Sequence, residues 1–257
     1  MRTWKNNIDN LGQLVQETGN DLDTAQRMGM YYAGLALRKR FGLDVTLVDN
    51  VIGPDEWLYI AESHIKGDYM RTGNPDSRGY YPDMMTRDQQ TGVLAVMLSI
   101  RVSKTARKRC LRLMWNNLKR FWFTNNKTGW RVDRAKEPEK IGKDWPNFAG
   151  LSQLAMCFRV LKWWPLYPLI CILDLELIWA AVEDRFFKKQ GEPINSIMRA
   201  GIAASYYPTP ASYIAGKINR AEDMFLRIER YMERGPHKAP PLQQIWSFDL
   251  LKKFISS

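Results

Sequence analysis

The chain has 257 residues, of which 45% are apolar and 25% charged, the balance of a globular protein that can bury a sizeable core. Its 38 Lys and Arg against 27 Asp and Glu give a net charge of +11, which favours acidic partners such as nucleic acid, anionic polysaccharide or an acidic protein surface. Three cysteines without CxxC spacing argue against a disulfide scaffold or zinc knuckle, and two histidines without an HExxH motif argue against a histidine-built metal site. We therefore expect neither a metal nor a cofactor.

The N-terminus and the most hydrophobic stretch of the chain bear on its location. The first residues, MRTWKNNIDN, lack the apolar core of a signal peptide. Residues 160–182 are the most apolar part of the chain, but Asp174 and Glu176 fall in their middle. Because each carboxylate would cost about 2.5–3.5 kcal/mol at the centre of a bilayer, we predict a buried helix rather than a membrane span.

Helical patterns dominate the first half of the chain. Residues 21–41 begin with capping residues and carry apolar side chains at helical spacing. Pro54 begins a second helix that is predicted to reach about residue 65. This helix lies between a weak strand pattern at 44–51 and a loop rich in Gly, Asn, Asp and Pro at 67–82. Residues 86–102 are apolar nearly all round, as expected of an inner helix.

Residues 104–123 form an amphipathic pattern with a basic face and an apolar face. The densest basic segment of the chain, 101–120, coincides with it. The basic face is either simply solvated or a site that binds phosphate groups. The residues predicted to face the core are Cys110, Leu111, Met114, Trp115, Leu118, Phe121 and Trp122.

The second half of the chain is also predicted to be helical, after a polar and irregular segment at 129–144. The predicted helices are 146–162, 165–188, 195–204, 210–234 and 242–255. With about nine helices, some buried all round and others on one face only, we predict an all-α fold of the α/α-toroid type, in the form of an incomplete barrel. No linker long enough to divide the chain is visible, so residues 1–257 are predicted to form a single domain.

Two polar clusters interrupt otherwise apolar helix starts, at 21–30 and at 83–92. Each brings carboxylate, amide, guanidinium and hydroxyl groups together within a turn or two. The candidate site residues in them are Asp23, Arg27, Arg87, Asp88 and Gln89. A charge that enters a core must be paired and hydrogen-bonded. One interpretation is therefore helix capping plus an inter-helix salt bridge, such as Asp23 to Arg87 or Asp88 to Arg27.

The alternative interpretation is a catalytic site in which Asp23 and Asp88 converge on a cleft. A pair of carboxylates can perform acid–base chemistry on a glycosidic bond. Arg27, Arg87 and Gln89 would then bind the carboxylate or hydroxyl groups of a substrate. The spacing of these residues alone does not decide between the two interpretations.

The motifs in the two clusters resemble those of an uncharacterised family of bacteriophage-encoded proteins. Asp-Thr-Ala-Gln-Arg-Met-Gly-Met at 23–30 is similar to that family's Gly-Asp-Thr-x-x-Arg-x-Gly-Met segment, and Thr-Arg-Asp-Gln at 86–89 is similar to its Ser-Arg-Asp-Gln. The resemblance covers roughly 21–100. Leu22 stands where Gly is common, which puts the form of the entry turn in question, whereas Thr86 in place of Ser keeps the capping hydroxyl.

The Arg-Asp-Gln start of an inner helix is also similar to that of α/α-toroid enzymes such as unsaturated glucuronyl hydrolases and polysaccharide lyases. This resemblance implies a substrate groove at one mouth of the toroid, although fold alone does not settle function. Such lyases use a Tyr and a His or Asn. Tyr80, Tyr81 and His64 lie between the two clusters and are therefore candidates for substrate binding. A His at a helix end is otherwise a structural residue.

Together these interpretations predict a phage-encoded protein, in the virion or the host cytoplasm, whose polar groove binds or cleaves a glycan such as an anionic polysaccharide. The sequence leaves open whether the protein is an enzyme. The main alternative is a non-catalytic structural component of the phage particle that contacts other virion proteins, with the two clusters locking the core. The third is an accessory protein that binds nucleic acid through the basic helix.

Overall fold

The structure, a computed structural model, describes residues 8–15, 23–45, 48–77, 87–123, 151–187, 193–218, 242 and 245–257. At 87, 88, 118–123, 184, 187 and 193–198 it describes the backbone only. The chain is mostly helical, which confirms the predicted all-α fold. In the described ranges the β structure is limited to two isolated bridges, Ile8 with Leu14 and Glu62 with Tyr69. The toroid arrangement of the helices stays a prediction.

The helices of the described ranges are as follows. The first four are α1 (Thr24–Arg40), α2 (Pro54–Ile60), α3 (Arg87–Ser99) and α4 (Lys104–Phe123). Next come α5 (Leu151–Leu161), a 3-10 turn (Trp164–Leu166), α6 (Tyr167–Leu173), α7 (Leu175–Val182) and a π turn (Glu183–Phe187). The last are α8 (Pro193–Ser205), α9 (Pro210–Ile218) and α10 (Phe248–Ser256).

Helices α1 and α3 form the central pair and share the most extensive contact between helices. They cross at two glycines. A Cβ added to Gly92 would overlap the carbonyl group of Ala25, and a Cβ added to Gly29 would overlap the Cα of Gly92. The bond between Gln26 and Gln89 has the same 63-residue offset as the two glycines, so the helices run parallel. The backbones can approach this closely only because glycine has no side chain.

A buried ion pair organises the second half of the fold. Arg159 of α5 and Asp174, at the junction of α6 and α7, are both fully buried. The guanidinium donates to both carboxylate oxygens, and its Nε donates to the carbonyl oxygen of Tyr206 at 3.0 Å. The hydroxyl of Thr209 donates to Asp174 as well. The pair thus connects α5, the α6–α7 junction, the end of α8 and the start of α9, and its hydrogen bonds offset the desolvation of both charges.

The second acid of this stretch is also directed inwards. Glu176, in the first turn of α7, accepts a hydrogen bond from Nη1 of Arg199 on α8 at 3.2 Å. Its other oxygen accepts the backbone N–H of Ser152, at the start of α5, at 2.7 Å. Both carboxylates of the α6–α7 stretch are therefore held by donors on neighbouring helices.

The prediction of a buried helix over 160–182 is wrong. The stretch contains the end of α5, the 3-10 turn, α6 and α7, with a junction at Asp174. Several of its apolar side chains are on the surface, among them Ile172 (61% exposed), Leu175 (56%) and Trp179 (63%). The physical reason is that the two arginines of α5 and α8 draw the two acids inwards, which turns the opposite, apolar face outwards.

The predicted core face of α4 is correct only in part. Cys110 and Met114 are buried, but Leu111 and Trp115 are 45% and 52% exposed. Cys110 packs against α5, where its thiol contacts the carbonyl oxygen of Cys157. Because each residue turns a helix by about 100°, this contact places Leu111 at the edge of the core face. The side chains that lie outside the described set are those of Leu118, Phe121 and Trp122.

Three predictions of local structure are also corrected. Helix α2 ends at Ile60 rather than near residue 65, because the chain turns back and Glu62 pairs with Tyr69. The described part of 44–51 is loop and turn rather than strand. The predicted helix 165–188 is interrupted at Asp174. Much of the remaining predicted structure, including 129–144 and the second part of 210–234, lies outside the described ranges.

Replacing Gly92 by Ala is expected to lower the free energy of unfolding by about 1–3 kcal/mol or more, because the added Cβ meets backbone that cannot move without separating α1 from α3. Urea unfolding monitored by circular dichroism measures the loss. The control is Gly53→Ala at the start of α2, where no heavy atom lies within 4 Å of the added Cβ. An equal loss in both variants would show that the close helix crossing is not what Gly92 provides.

Replacing Asp174 by Asn is expected to lower the free energy of unfolding by roughly 3–5 kcal/mol, because the buried guanidinium of Arg159 loses its counter-charge. Asp55→Asn is the control: Asp55 is 59% exposed and lies 3.8 Å from Arg109, so its loss should cost at most about 1 kcal/mol. The double variant Arg159→Met, Asp174→Leu should recover most of the stability. A single variant as stable as the wild type contradicts the role given to the pair.

Candidate functional site

The starts of α1 and α3 are joined by the side chain of one buried residue, Gln89. Its Oε1 accepts the backbone N–H of Gln26 at 2.9 Å, and its Nε2 donates to Oδ1 of Asp23 at 3.0 Å. Gln89 is 1% exposed, so water does not substitute for these partners. Both ends of the amide are therefore committed to holding the two helices together.

The first turn of α1 is capped by other parts of the chain. Asp23 occupies the N-cap position but makes no side-chain bond to the helix. The N–H of Gln26 is accepted by Gln89 instead, and the N–H of Ala25 is accepted by the carbonyl oxygen of Arg71 at 2.7 Å. The N–H groups of a helix start need acceptors from outside the helix. These bonds therefore fix the position of α1 against α3 and against the loop that contains Arg71.

Hydrogen bonds continue from α3 to the starts of α5 and α7. Nε2 of Gln153 donates to the hydroxyl of Thr91 at 2.7 Å, and both residues are fully buried. Ser152, beside Gln153, donates its N–H to Glu176 in the first turn of α7. Polar contacts thus connect the first turns of several helices. We define the helix-start cluster as Asp23, Gln26, Arg27, Gln89, Thr91 and Gln153.

Polar atoms of three residues in these helix starts are buried and have no hydrogen-bond partner among the residues that the structure describes. They are Oγ1 of Thr24, Nε2 of Gln90 and Oγ of Ser152. Buried polar atoms without a partner are rare in proteins, and a bound water or ligand commonly explains them. These atoms are the feature of the region that would suit the hydroxyl groups of a ligand.

The structure brings together part of the predicted site. Asp23 and Gln89 are hydrogen-bonded, and Arg27, one helical turn after Asp23, is buried at 4% exposure. Its backbone N–H bonds to the carbonyl oxygen of Asp23 at 3.0 Å. Arg87 and Asp88 lie in the first turn of α3, directly before Gln89, and their side chains are outside the described set. The observed bond between the two clusters therefore joins the amide of Gln89 to the carboxylate of Asp23. The predicted salt bridges, Asp23 to Arg87 and Asp88 to Arg27, stay predictions.

Of the three candidate residues between the clusters, the structure describes only His64. His64 lies in a bend and is exposed, in the turn between the bridged residues Glu62 and Tyr69. This turn packs against α4, where Gly67 approaches the backbone of Arg112. No hydrogen bond among the described residues joins His64 to the helix-start cluster. Tyr80 and Tyr81 lie outside the described ranges, so their role in substrate binding stays a prediction.

Three members of the helix-start cluster are not among the site residues predicted from the sequence. They are Gln26, Thr91 and Gln153. Gln153 is a polar residue on the buried face of α5, between the apolar Leu151 and Leu154, and such a position is a recognisable signal of a buried polar contact. Gln26 acts through its backbone N–H, which leaves no trace in a side-chain pattern.

Two further observations bear on the chemistry of the chain. No group of three or more His, Cys, Asp or Glu side chains that could hold a metal ion occurs where the structure is described. Comparisons of the chain with protein-family models, with curated proteins and with solved structures give no match. The function must therefore be inferred from the geometry of the helix-start cluster and from the sequence motifs.

Replacing Gln89 by Leu is expected to lower the free energy of unfolding by about 2–4 kcal/mol, because the N–H of Gln26 and the carboxylate of Asp23 both lose a buried partner. Replacing it by Glu keeps an acceptor for the N–H but sets two carboxylates against each other, which raises the pKa of the introduced group in the folded protein. The folded state then binds protons more readily than the unfolded state, so the Glu variant should regain stability as the pH falls.

The measurement is a series of urea melts of both variants and the wild type between about pH 7 and pH 4. The Leu variant is the matched control, since it has no added charge and its deficit should change little with pH. A Glu variant whose deficit is independent of pH would show that Gln89 and Asp23 are not in contact.

Proposed function

We propose that this protein is a non-catalytic structural component of a phage particle and that the helix-start cluster locks its core. The phage context comes from the resemblance of the segments at 23–30 and 86–89. The structural role is supported by one observation above all: both ends of the Gln89 amide are bonded within the protein, and one of them binds the carboxylate of Asp23.

The pattern of buried charge supports the same proposal. Asp174 and Glu176 are both held by arginines of neighbouring helices. Asp23, at the start of α1, is bonded to an amide that is itself buried. A general acid or base must instead reach the proton that it transfers, directly or through one water. Carboxylates that are bonded to neighbouring helices are typical of a structural protein, which keeps a fixed shape and would contact other virion proteins.

The second candidate function is the binding or cleavage of a glycan, such as an anionic polysaccharide, by the same region. It is favoured by the unpartnered atoms of Thr24, Gln90 and Ser152, which could bond to sugar hydroxyls. Asp23 and Asp88 would then be the catalytic pair, with Arg27, Arg87 and Gln89 binding the substrate. A third function, nucleic-acid binding by α4, rests on its basic composition alone.

Two variants of Asp23 separate the structural role from the catalytic one. Asn at this position keeps an oxygen that can accept from Gln89, whereas Ala removes it. We expect Asp23→Asn to lose less than about 1 kcal/mol of stability and Asp23→Ala to lose about 1–3 kcal/mol, because only Ala leaves the Gln89 amide unpaired. Thermal melts measure this difference.

The same two variants are assayed for cleavage of neutral and uronic-acid-containing polysaccharides. The proposed structural role predicts no turnover by the wild type. A catalytic Asp23 predicts wild-type cleavage that falls by about 10²–10⁴ in both variants, since neither Asn nor Ala transfers a proton. Measured turnover with that pattern, and equal melts for Asn and Ala, would overturn the structural proposal in favour of the glycan-cleaving one.

A further inference from the structure

The outer face of α6 and α7 is apolar throughout. Between 163 and 182 every exposed side chain is apolar or aromatic, and the two charged residues of this interval are turned inwards. The one hydroxyl on this face, that of Tyr167, donates to the carbonyl oxygen of Pro208. We call this face the apolar ridge and define it by Trp163, Tyr167, Leu169, Ile172, Leu175 and Trp179.

This distribution is the reverse of that on an ordinary surface helix, which directs charged residues to water and apolar residues to the core. A buried large side chain covers about 150–250 Å², so six side chains exposed by a third to two thirds together present roughly 400–700 Å² of apolar surface. The largest apolar patch on a typical monomeric protein is about 300–600 Å² and is often functional, so the ridge reaches the size of a functional surface.

The ridge adjoins the most basic part of the chain. The ring of Trp164, next to Trp163, contacts the ring of Tyr207. The guanidinium of Arg101 lies 4.3 Å from the ring centroid of Tyr206 and 5.4 Å from that of Tyr207. Arg101 is the first residue of the basic segment 101–120, so ring contacts through Trp164 and Tyr207 lead from one end of the ridge to the start of that segment.

The start of α4 presents this positive charge to solvent. Lys104 and Lys108, one turn apart, are both exposed, and Val102 beside them is 75% exposed. No acidic residue lies in the first turn of α4. An apolar face flanked by exposed cations has the composition of helices that lie in the interface of an anionic membrane, with Trp and Leu in the acyl region and Lys near the headgroups.

We propose that the apolar ridge and the start of α4 bind the surface of an anionic lipid bilayer, with α6 and α7 lying along the membrane plane. Asp174 and Glu176 are bonded to α5 and α8 on the inner side, and α7 also packs on α9, so helices α6 and α7 are joined to the rest of the helical body. A second copy of the chain is the less suitable occupant, because it would bring two basic segments and two charges of +11 together. This proposal is independent of the function of the helix-start cluster.

The test is flotation of the full chain with vesicles of phosphatidylcholine alone and of phosphatidylcholine with about 30% phosphatidylglycerol. We expect binding to the anionic vesicles, weaker binding to the neutral ones, and partial release at high salt. The double variant Ile172→Ser, Trp179→Ser should weaken binding to anionic vesicles by about tenfold or more, because it removes the apolar contact. The double variant Lys104→Gln, Lys108→Gln should remove the preference for anionic lipid.

The control is Tyr59→Ser on α2, which replaces an aromatic residue that is 74% exposed and lies outside the ridge. It should bind as the wild type does, and thermal melts of all variants verify that they are folded. A wild type that binds neither vesicle overturns the proposal. If light scattering then shows a dimer that the ridge variant dissociates, the ridge is an interface between copies. Anionic binding that depends on the lysines and not on the ridge also overturns it, because simple charge attraction would explain such binding.

Discussion

The buried ion pair between Arg159 and Asp174 decides which way the most apolar segment of the chain faces. Its guanidinium lies fully inside the fold and needs a counter-charge there, so the junction of α6 and α7 must present its acid to α5. The carbonyl of Tyr206 and the hydroxyl of Thr209 complete the bonding and anchor α8 and α9 to the same point. The outward orientation of the apolar ridge follows from this one inward contact.

The orientation of that segment could not be predicted from its own residues. Residues 160–182 are apolar on almost every side, so their periodicity does not distinguish a buried face from an exposed one. The deciding groups, Arg159 and Arg199, lie in other helices. In α4 the helix and its amphipathic character are evident from the sequence, but Leu111 and Trp115 belong to an apolar arc wider than the contact with α5 covers. The sequence thus predicts which residues form helices better than it predicts which faces of those helices are buried against other helices.

The candidate site divides in the same way. The position of Asp23 at the start of α1 and the inner position of the helix that begins at Arg87 are local properties, and the sequence predicts both, whereas the acceptors that cap α1 come from elsewhere in the chain. The partner of Asp23 is a tertiary property. Arg87, Asp88 and Gln89 are consecutive, and a rotation of one residue about the helix axis exchanges one partner for the next. The glycine crossing of α1 and α3 fixes that rotation, and with it the bond between Gln89 and Asp23.

The parallel course of α1 and α3 also shapes how the chain reaches its native state. Neighbouring antiparallel helices can meet as soon as a short turn closes, but two parallel helices need a long return segment between them. Here 63 residues separate the groups that meet, and the return segment includes α2, whose Trp57 indole donates to Gln13. The entropy of closing such a loop must be lost before the central contact forms. We therefore expect the slow step of folding to be the long-range docking of α3 onto α1 rather than the formation of either helix.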